Sequence, residues 1–108
     1  MSHITLAELA LWQRGGLAHT LIDVRRHAAR QSDGTEIAGA QWHDPAQWLD
    51  WKDDVAADRL TVLYCVHGHE VSQGLAAALC AMGVDARYLA GGIAAWKASG
   101  EAVGALAG

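Results

Sequence analysis

The sequence predicts an α/β fold: a three-layer sandwich with a mainly parallel central sheet of four to five strands and helices on both faces. Three observations carry this. Strand segments at 20–24, a short run rich in branched apolar residues, and at 60–65 and 84–89 alternate with segments of helical period. Such alternation places helices in the crossovers between parallel strands and buries both faces of the sheet. The 108 residues, 52% hydrophobic and 19% charged, suffice for one core without disulfide staples.

The elements follow in order. Thr5 opens the first helix, with Glu8 at the reciprocal capping-box position, and Gly15-Gly16 ends it. Thr20-Leu21-Ile22-Asp23-Val24 reads as a buried strand. Residues 25–38 are polar and hold the turn signal Ser32-Asp33-Gly34, so mostly loop with one helical turn is expected. Ala40-Gln41-Trp42 reads as a brief strand. Asp44 then caps a helix with Pro45 at its first position, where the missing N–H costs nothing. Trp48, Trp51 and Val55 share one face of it. Leu60-Thr61-Val62-Leu63-Tyr64-Cys65 is the strongest strand signal in the chain. Residues 71–82 read as a helix with Val71, Leu75, Leu79 and Met82 as its apolar stripe, stopped by Gly83. A strand over 84–89, a Gly91-Gly92 turn and a helix over 93–98, closed by Gly100, complete a single domain over 3–101. The Ala/Gly-rich residues 102–108 read as a flexible tail.

Composition excludes several function classes. A net charge of −4 offers no footprint for nucleic acid or an anionic membrane. No run approaches the roughly 20 apolar residues of a membrane span. Met1-Ser2-His3-Ile4-Thr5 shows no charged leader before an apolar run, so a cytoplasmic protein is expected. In that compartment Cys65 and Cys80 read as reduced thiols rather than a bridge.

Chemistry gathers at the carboxyl ends of parallel strands, and Cys65 stands at such an end. Cys65-Val66-His67-Gly68-His69-Glu70 joins a strand to a helix by a very short turn, with Gly68 supplying backbone freedom. A tight curve of this kind can direct successive N–H groups inward as an anion nest. The helix after it adds unpaired N–H groups and about half a positive charge. These donors favour the thiolate form and a nucleophilic Cys65. The plain alternative is a structural cysteine at a strand end. His67 and His69 are either substrate-attracting groups or solvated loop residues. Cys-x-His-x-His is cramped for three ligands on one ion, so no metal is expected.

Three motifs in order then resemble the single-domain rhodaneses, a family of sulfurtransferases. Leu21-Ile22-Asp23-Val24-Arg25, followed by Ile37-Ala38-Gly39-Ala40, resembles the family's early strand motif. Tyr64-Cys65 with Gly68 resembles its active-site loop. Leu89-Ala90-Gly91-Gly92-Ile93-Ala94-Ala95-Trp96 with Gly100 resembles its closing strand, turn and Trp-bearing helix. The resemblance implies the rhodanese-like sandwich and a Cys65 persulfide. Sulfane sulfur would pass from a small anionic donor, thiosulfate or a persulfide, to a thiol or cyanide acceptor by two-step covalent catalysis. A protein persulfide could serve as donor or acceptor, and no cofactor is implied. The N–H groups of Val66, His67, Gly68, His69, Glu70 and Val71 would stabilise the persulfide. Asp23 and Arg25 are supporting candidates, with Asp23 favoured as structural.

The departures are informative. Many members carry a basic residue five positions after the cysteine and a Ser after that; here these are Glu70 and Val71. An acidic Glu70 at the mouth should repel doubly charged thiosulfate, unless Arg25 or Arg26 offsets it. Glu36 and Ala102 replace a frequent histidine and proline, with effects expected on packing. Trp42, Trp48 and Trp51 supply core in a chain with no Phe, and Cys80 reads as a small semi-buried residue rather than a resolving thiol. The alternative functions are a non-catalytic module for persulfide carriage, redox sensing or partner binding, and a cysteine phosphatase or arsenate reductase. The last needs Cys-x5-Arg, and the position six after Cys65 is Val71.

Overall fold

The computed structural model describes residues 3–106. In chain order the elements are β1 (His3–Ile4), α1 (Leu6–Gly15), β2 (Thr20–Asp23), α2 (His27–Asp33), β3 (Thr35–Ile37) and β4 (Gln41–Trp42). They continue with α3 (Trp48–Trp51), β5 (Thr61–Tyr64), α4 (Glu70–Ala81), β6 (Ala86–Leu89), α5 (Gly92–Ala98) and β7 (Val103–Ala105). Five strands form one sheet in the order β1-β6-β5-β2-β4, and every neighbouring pair is parallel. The most apolar strand, β5, is central, with all four residues buried.

Period-two alternation divides the core in two. Leu21, Val62, Tyr64 and Leu89 point to one face and pack with Leu9 and Ala10 of α1 and Ile93 and Trp96 of α5. Ile22, Val24, Leu63, Cys65 and Ala86 point to the other, against Trp51 of α3 and Ala76 and Leu79 of α4. The three expected layers are present. The capping box on α1 is also formed, Thr5 Oγ1 accepting from Glu8 N and Glu8 Oε1 from Thr5 N, both at 3.1 Å.

Four local expectations are corrected. Residues 25–38 hold a two-turn helix and a strand, not mostly loop. The segment expected as a flexible tail from Ala102 instead forms β7, which pairs antiparallel with β3 (Ile37 opposite Val103, Thr35 opposite Ala105); residues 107 and 108 lie outside the described residues. The helix opened by Asp44 is broken into 3₁₀ turns, Pro45–Gln47 and Lys52–Asp54, on either side of α3. On α4 the buried positions are Ser72, Ala76 and Leu79, and Met82 is 43% exposed, so the inward stripe is rotated from the one expected.

The β3–β7 ribbon is tied to the sheet by one buried hydrogen bond: Ile37 N donates to Tyr64 Oη at 3.2 Å. Burial, reinforced by Asp23, pushes the Tyr64 phenol pKa well up, so the hydroxyl stays neutral through the physiological range. Tyr64→Phe leaves the Ile37 N–H buried without an acceptor and should cost about 1–3 kcal/mol. Urea unfolding of the two proteins checks this, an unchanged midpoint counting against the tie.

Candidate active site

All five parallel strands end on the same edge of the sheet. From β2 the chain runs to β4 on one side, whereas from β5 it runs to β6 on the other. The crevice between β2 and β5 is therefore the topological switch point, where ligands bind in open α/β sheets. A cleft of about 290 Å³ occupies this place. Its walls are Val24, Arg25, Arg26 and Ala29 from the β2 side and Cys65, Val66, His67, His69, Glu70 and Val71 from the β5 side.

Cys65 immediately follows β5 and is 8% exposed. Its Sγ lies 3.1 Å from Oγ of Ser72, a fully buried residue in the first turn of α4. Sequence reasoning missed Ser72. The position expected for the family's serine holds Val71, yet a serine hydroxyl reaches the sulfur from one residue further on. The available signal was the face Ser72, Ala76, Leu79, a spacing of four and then three that points one side of α4 inward.

The turn itself is held by its carbonyls. Ile93 N donates to Cys65 O at 3.0 Å and Ala94 N to Val66 O at 2.9 Å, so the first turn of α5 grips the loop from behind. Gln73 donates from Nε2 to Gly68 O (2.9 Å) and from N to His69 O (3.1 Å). Among the described residues, no protein group accepts from the N–H groups of Val66 through Ser72. The turn and the start of a twelve-residue helix thus hold seven consecutive N–H groups without a protein acceptor, five of them on residues that line the cleft.

Two glycines make this possible. Gly68 has φ +73°, and a Cβ there would stand 2.6 Å from Leu89 O and 2.8 Å from Gly91 N. Gly92 has φ +62°, and its Cβ would stand 2.5 Å from both Cys65 O and Val66 O. The turns after β5 and β6 touch backbone to backbone, with no room for a side chain on either.

Asp23 and Arg25 lie beside the cleft, but their charged groups face each other. Both are buried, and Arg25 grips Asp23 through Nε (3.0 and 3.1 Å) and Nη2 (2.7 Å). The rest of the guanidinium reaches Asp33 Oδ2 (2.8 Å) and Thr35 O (2.7 Å). Burial alone would lower the Arg25 pKa, but the Asp23 pair outweighs it and holds the cation charged. Arg25 therefore has little left to offset Glu70. Arg26, exposed and without an ion pair among the described residues, is the cation free to do so. His67 and His69 are exposed, their rings 6.1 Å apart. Among the described residues no three of His, Cys, Asp and Glu gather as a metal-binding set. Cys80 is exposed on α4 and contacts Ala86 O at 3.1 Å, so it is more open than the semi-buried position expected.

Comparison with known proteins agrees with this architecture. The sequence pattern of the rhodanese-like domain family matches residues 5–99. The chain belongs to that family. No curated protein matches the sequence. Among solved structures, a rhodanese-related protein of Thermoplasma volcanium superposes with a TM-score of 0.83 at 22% identity, covering 96% of this chain and 98% of the other. A rhodanese-like domain protein of Staphylococcus aureus gives 0.83 at 22% identity over 99% and 100%. A Rhodopseudomonas palustris protein described as a possible tyrosine phosphatase gives 0.83 at 22% identity over 96% and 85%. At such identities these likenesses establish the fold alone. No helix among the described residues is long and apolar enough to cross a membrane.

Two outcomes follow. Gly92→Ala should destabilise by roughly 2 kcal/mol or more beyond Gly34→Ala, because Gly34 (φ +77°) carries the same backbone strain with open space around it; equal losses in urea would remove the close approach as the reason. The second concerns pH. Burial raises the Asp33 pKa, but hydrogen bonds from Lys97 and Thr35, with the Lys97 and Arg25 charges, outweigh it and leave it below the ordinary carboxylate range. Asp33 thus adds stability above its unfolded pKa of about 4 and loses it as pH falls through the folded value. Asp33→Asn should flatten the acid limb of the stability curve, as measured by thermal unfolding between pH 2.5 and 6.

Proposed function

We propose that the chain is a sulfurtransferase that carries sulfane sulfur on Cys65. One observation carries the reading most: the Cys65 sulfur, beside the Ser72 hydroxyl, follows the central strand and opens a turn whose seven N–H groups have no protein acceptor among the described residues. A phosphatase would need a guanidinium where Val71 stands, and Arg25 is held by Asp23.

In the first half-reaction the Cys65 thiolate bonds to the outer sulfur of the donor, and the donor's S–S bond breaks. The electron pair leaves with sulfite, if the donor is thiosulfate, or with a thiolate, if it is a persulfide. In the second, a thiolate or cyanide attacks the outer sulfur of the Cys65 persulfide, and that S–S bond returns its pair to Cys65. The loop amides and the α4 N-terminus stabilise the charge on the outer sulfur without reorganising. The Ser72 hydroxyl donates to Sγ whenever Cys65 is the thiolate.

Mass spectrometry after exposure to sulfur donors should show a gain of about 32 Da, one sulfur atom, on Cys65 and not on Cys80. Cys65→Ala should abolish thiocyanate release from cyanide. Ser72→Ala should slow loading about tenfold or more, the worth of one hydrogen bond to a charged group. A module that only binds a partner would acquire no sulfur on Cys65, and that result would sink the reading.

A further inference from the structure

The charges at the mouth of the cleft are of both signs, and the two outermost are unspent. Arg25 also lines the cleft, but its donors are taken by Asp23, Asp33 and Thr35. Arg26 and Glu70 are both exposed, and among the described residues neither side chain has an ion-pair or hydrogen-bond partner within the protein. They come from opposite walls, Arg26 from the segment after β2 and Glu70 from the first residue of α4. They also share a second concavity of about 300 Å³ with Pro45, Val71, Gly74 and Leu75, so the two side chains stand where the cleft opens outward. Between that rim and Cys65 the walls are apolar at Val24, Ala29, Val66 and Val71.

A dianion such as thiosulfate makes poor use of this rim, since Glu70 opposes whatever Arg26 contributes. A substrate with a carboxylate, an ammonium and a short apolar stem ending in sulfur uses all of it. We infer that the preferred sulfur donor is the persulfide of a small amino-acid thiol, its carboxylate on Arg26, its ammonium on Glu70 and its outer sulfur on Cys65. This rests on the sulfur-carrier reading above and adds the donor class to it. The step balances without an outside oxidant or reductant. Cys65 S⁻ bonds to the outer sulfur of R–S–SH, the S–S bond breaks, its electron pair leaves as R–S⁻, and the proton stays on the transferred sulfur. The departing amino-acid thiolate is then exchanged at the same open rim.

The test measures second-order loading of Cys65 by mass spectrometry with four donors: cysteine hydropersulfide, the hydropersulfide of 3-mercaptopropionate (no ammonium), thiosulfate and inorganic polysulfide. Cysteine hydropersulfide should load about fivefold faster than the analogue lacking the ammonium, in keeping with an exposed charge contact. Glu70→Gln should erase that preference while speeding thiosulfate by a similar factor, and Arg26→Gln should slow both carboxylate donors and thiosulfate. Polysulfide, an anion that lacks both groups, should be sped by Glu70→Gln much as thiosulfate is. Equal loading by the two organic donors, or a preference that survives Glu70→Gln, overturns this inference and leaves the carrier reading standing. If no donor loads Cys65, polysulfide included, both fall together.

Discussion

The site depends on a backbone contact. The turns that leave β5 and β6 lie against each other so closely that Gly68 and Gly92 admit no Cβ, and the first N–H groups of α5 donate to the carbonyls of Cys65 and Val66. Carbonyls held outward leave the amides of the same turn for the other side. The anion binding proposed for this turn rests on peptide groups and on the position of α4 rather than on particular side chains. Glu70 and Val71 are compatible with such a turn, since neither side chain holds its backbone. The steric constraint falls instead on the two glycines that pack the turn.

A second constraint sits on the β2 side. The buried pair of Asp23 and Arg25 is joined by Asp33, Thr35 and Lys97, and Arg30 adds a bond to Glu36. Isolated, either Asp23 or Arg25 would be costly where it lies. Together they link the end of β2, one wall of the cleft, to α2, β3 and α5. The arrangement also divides labour between neighbouring arginines. Arg25 is consumed by the fold, and Arg26, one residue on, points its charge to solvent at the rim.

What the sequence made legible depended on how local each cause was. Two of the sheet strands, β2 and β5, were visible as short apolar runs, the cap of α1 as Thr5 with Glu8, and the cysteine turn as a strand run straight into Gly68. These signals sit within a few residues of what they specify. The α2–β3 segment was hidden because its support is distant: Arg25 and Lys97 hold Asp33, and β7 pairs with β3 across more than 60 residues. Polar composition over 25–38 reports the ion network rather than a loop. Ser72 escaped for a different reason. Whether residue 71 or 72 faces Cys65 depends on where α4 begins, and helix boundaries are the least determined feature of a sequence pattern. Gly91-Gly92 was recognised as a turn, but its contact with Cys65 joins two loops that only the sheet brings together.

The β3–β7 ribbon reaches further into the site than its position at the margin suggests. β3 supplies the Thr35 carbonyl to Arg25 and the Ile37 amide to Tyr64, whose successor in the chain is Cys65. Val103–Ala105 is the partner that keeps β3 extended. A protein trimmed after Glu101, the boundary that motif matching invites, would keep every residue of the cleft and lose the clasp on the segment beneath it. Such a product could fold and still present Cys65 on a loosened floor, so the choice of where to cut or fuse this domain is also a choice about its chemistry.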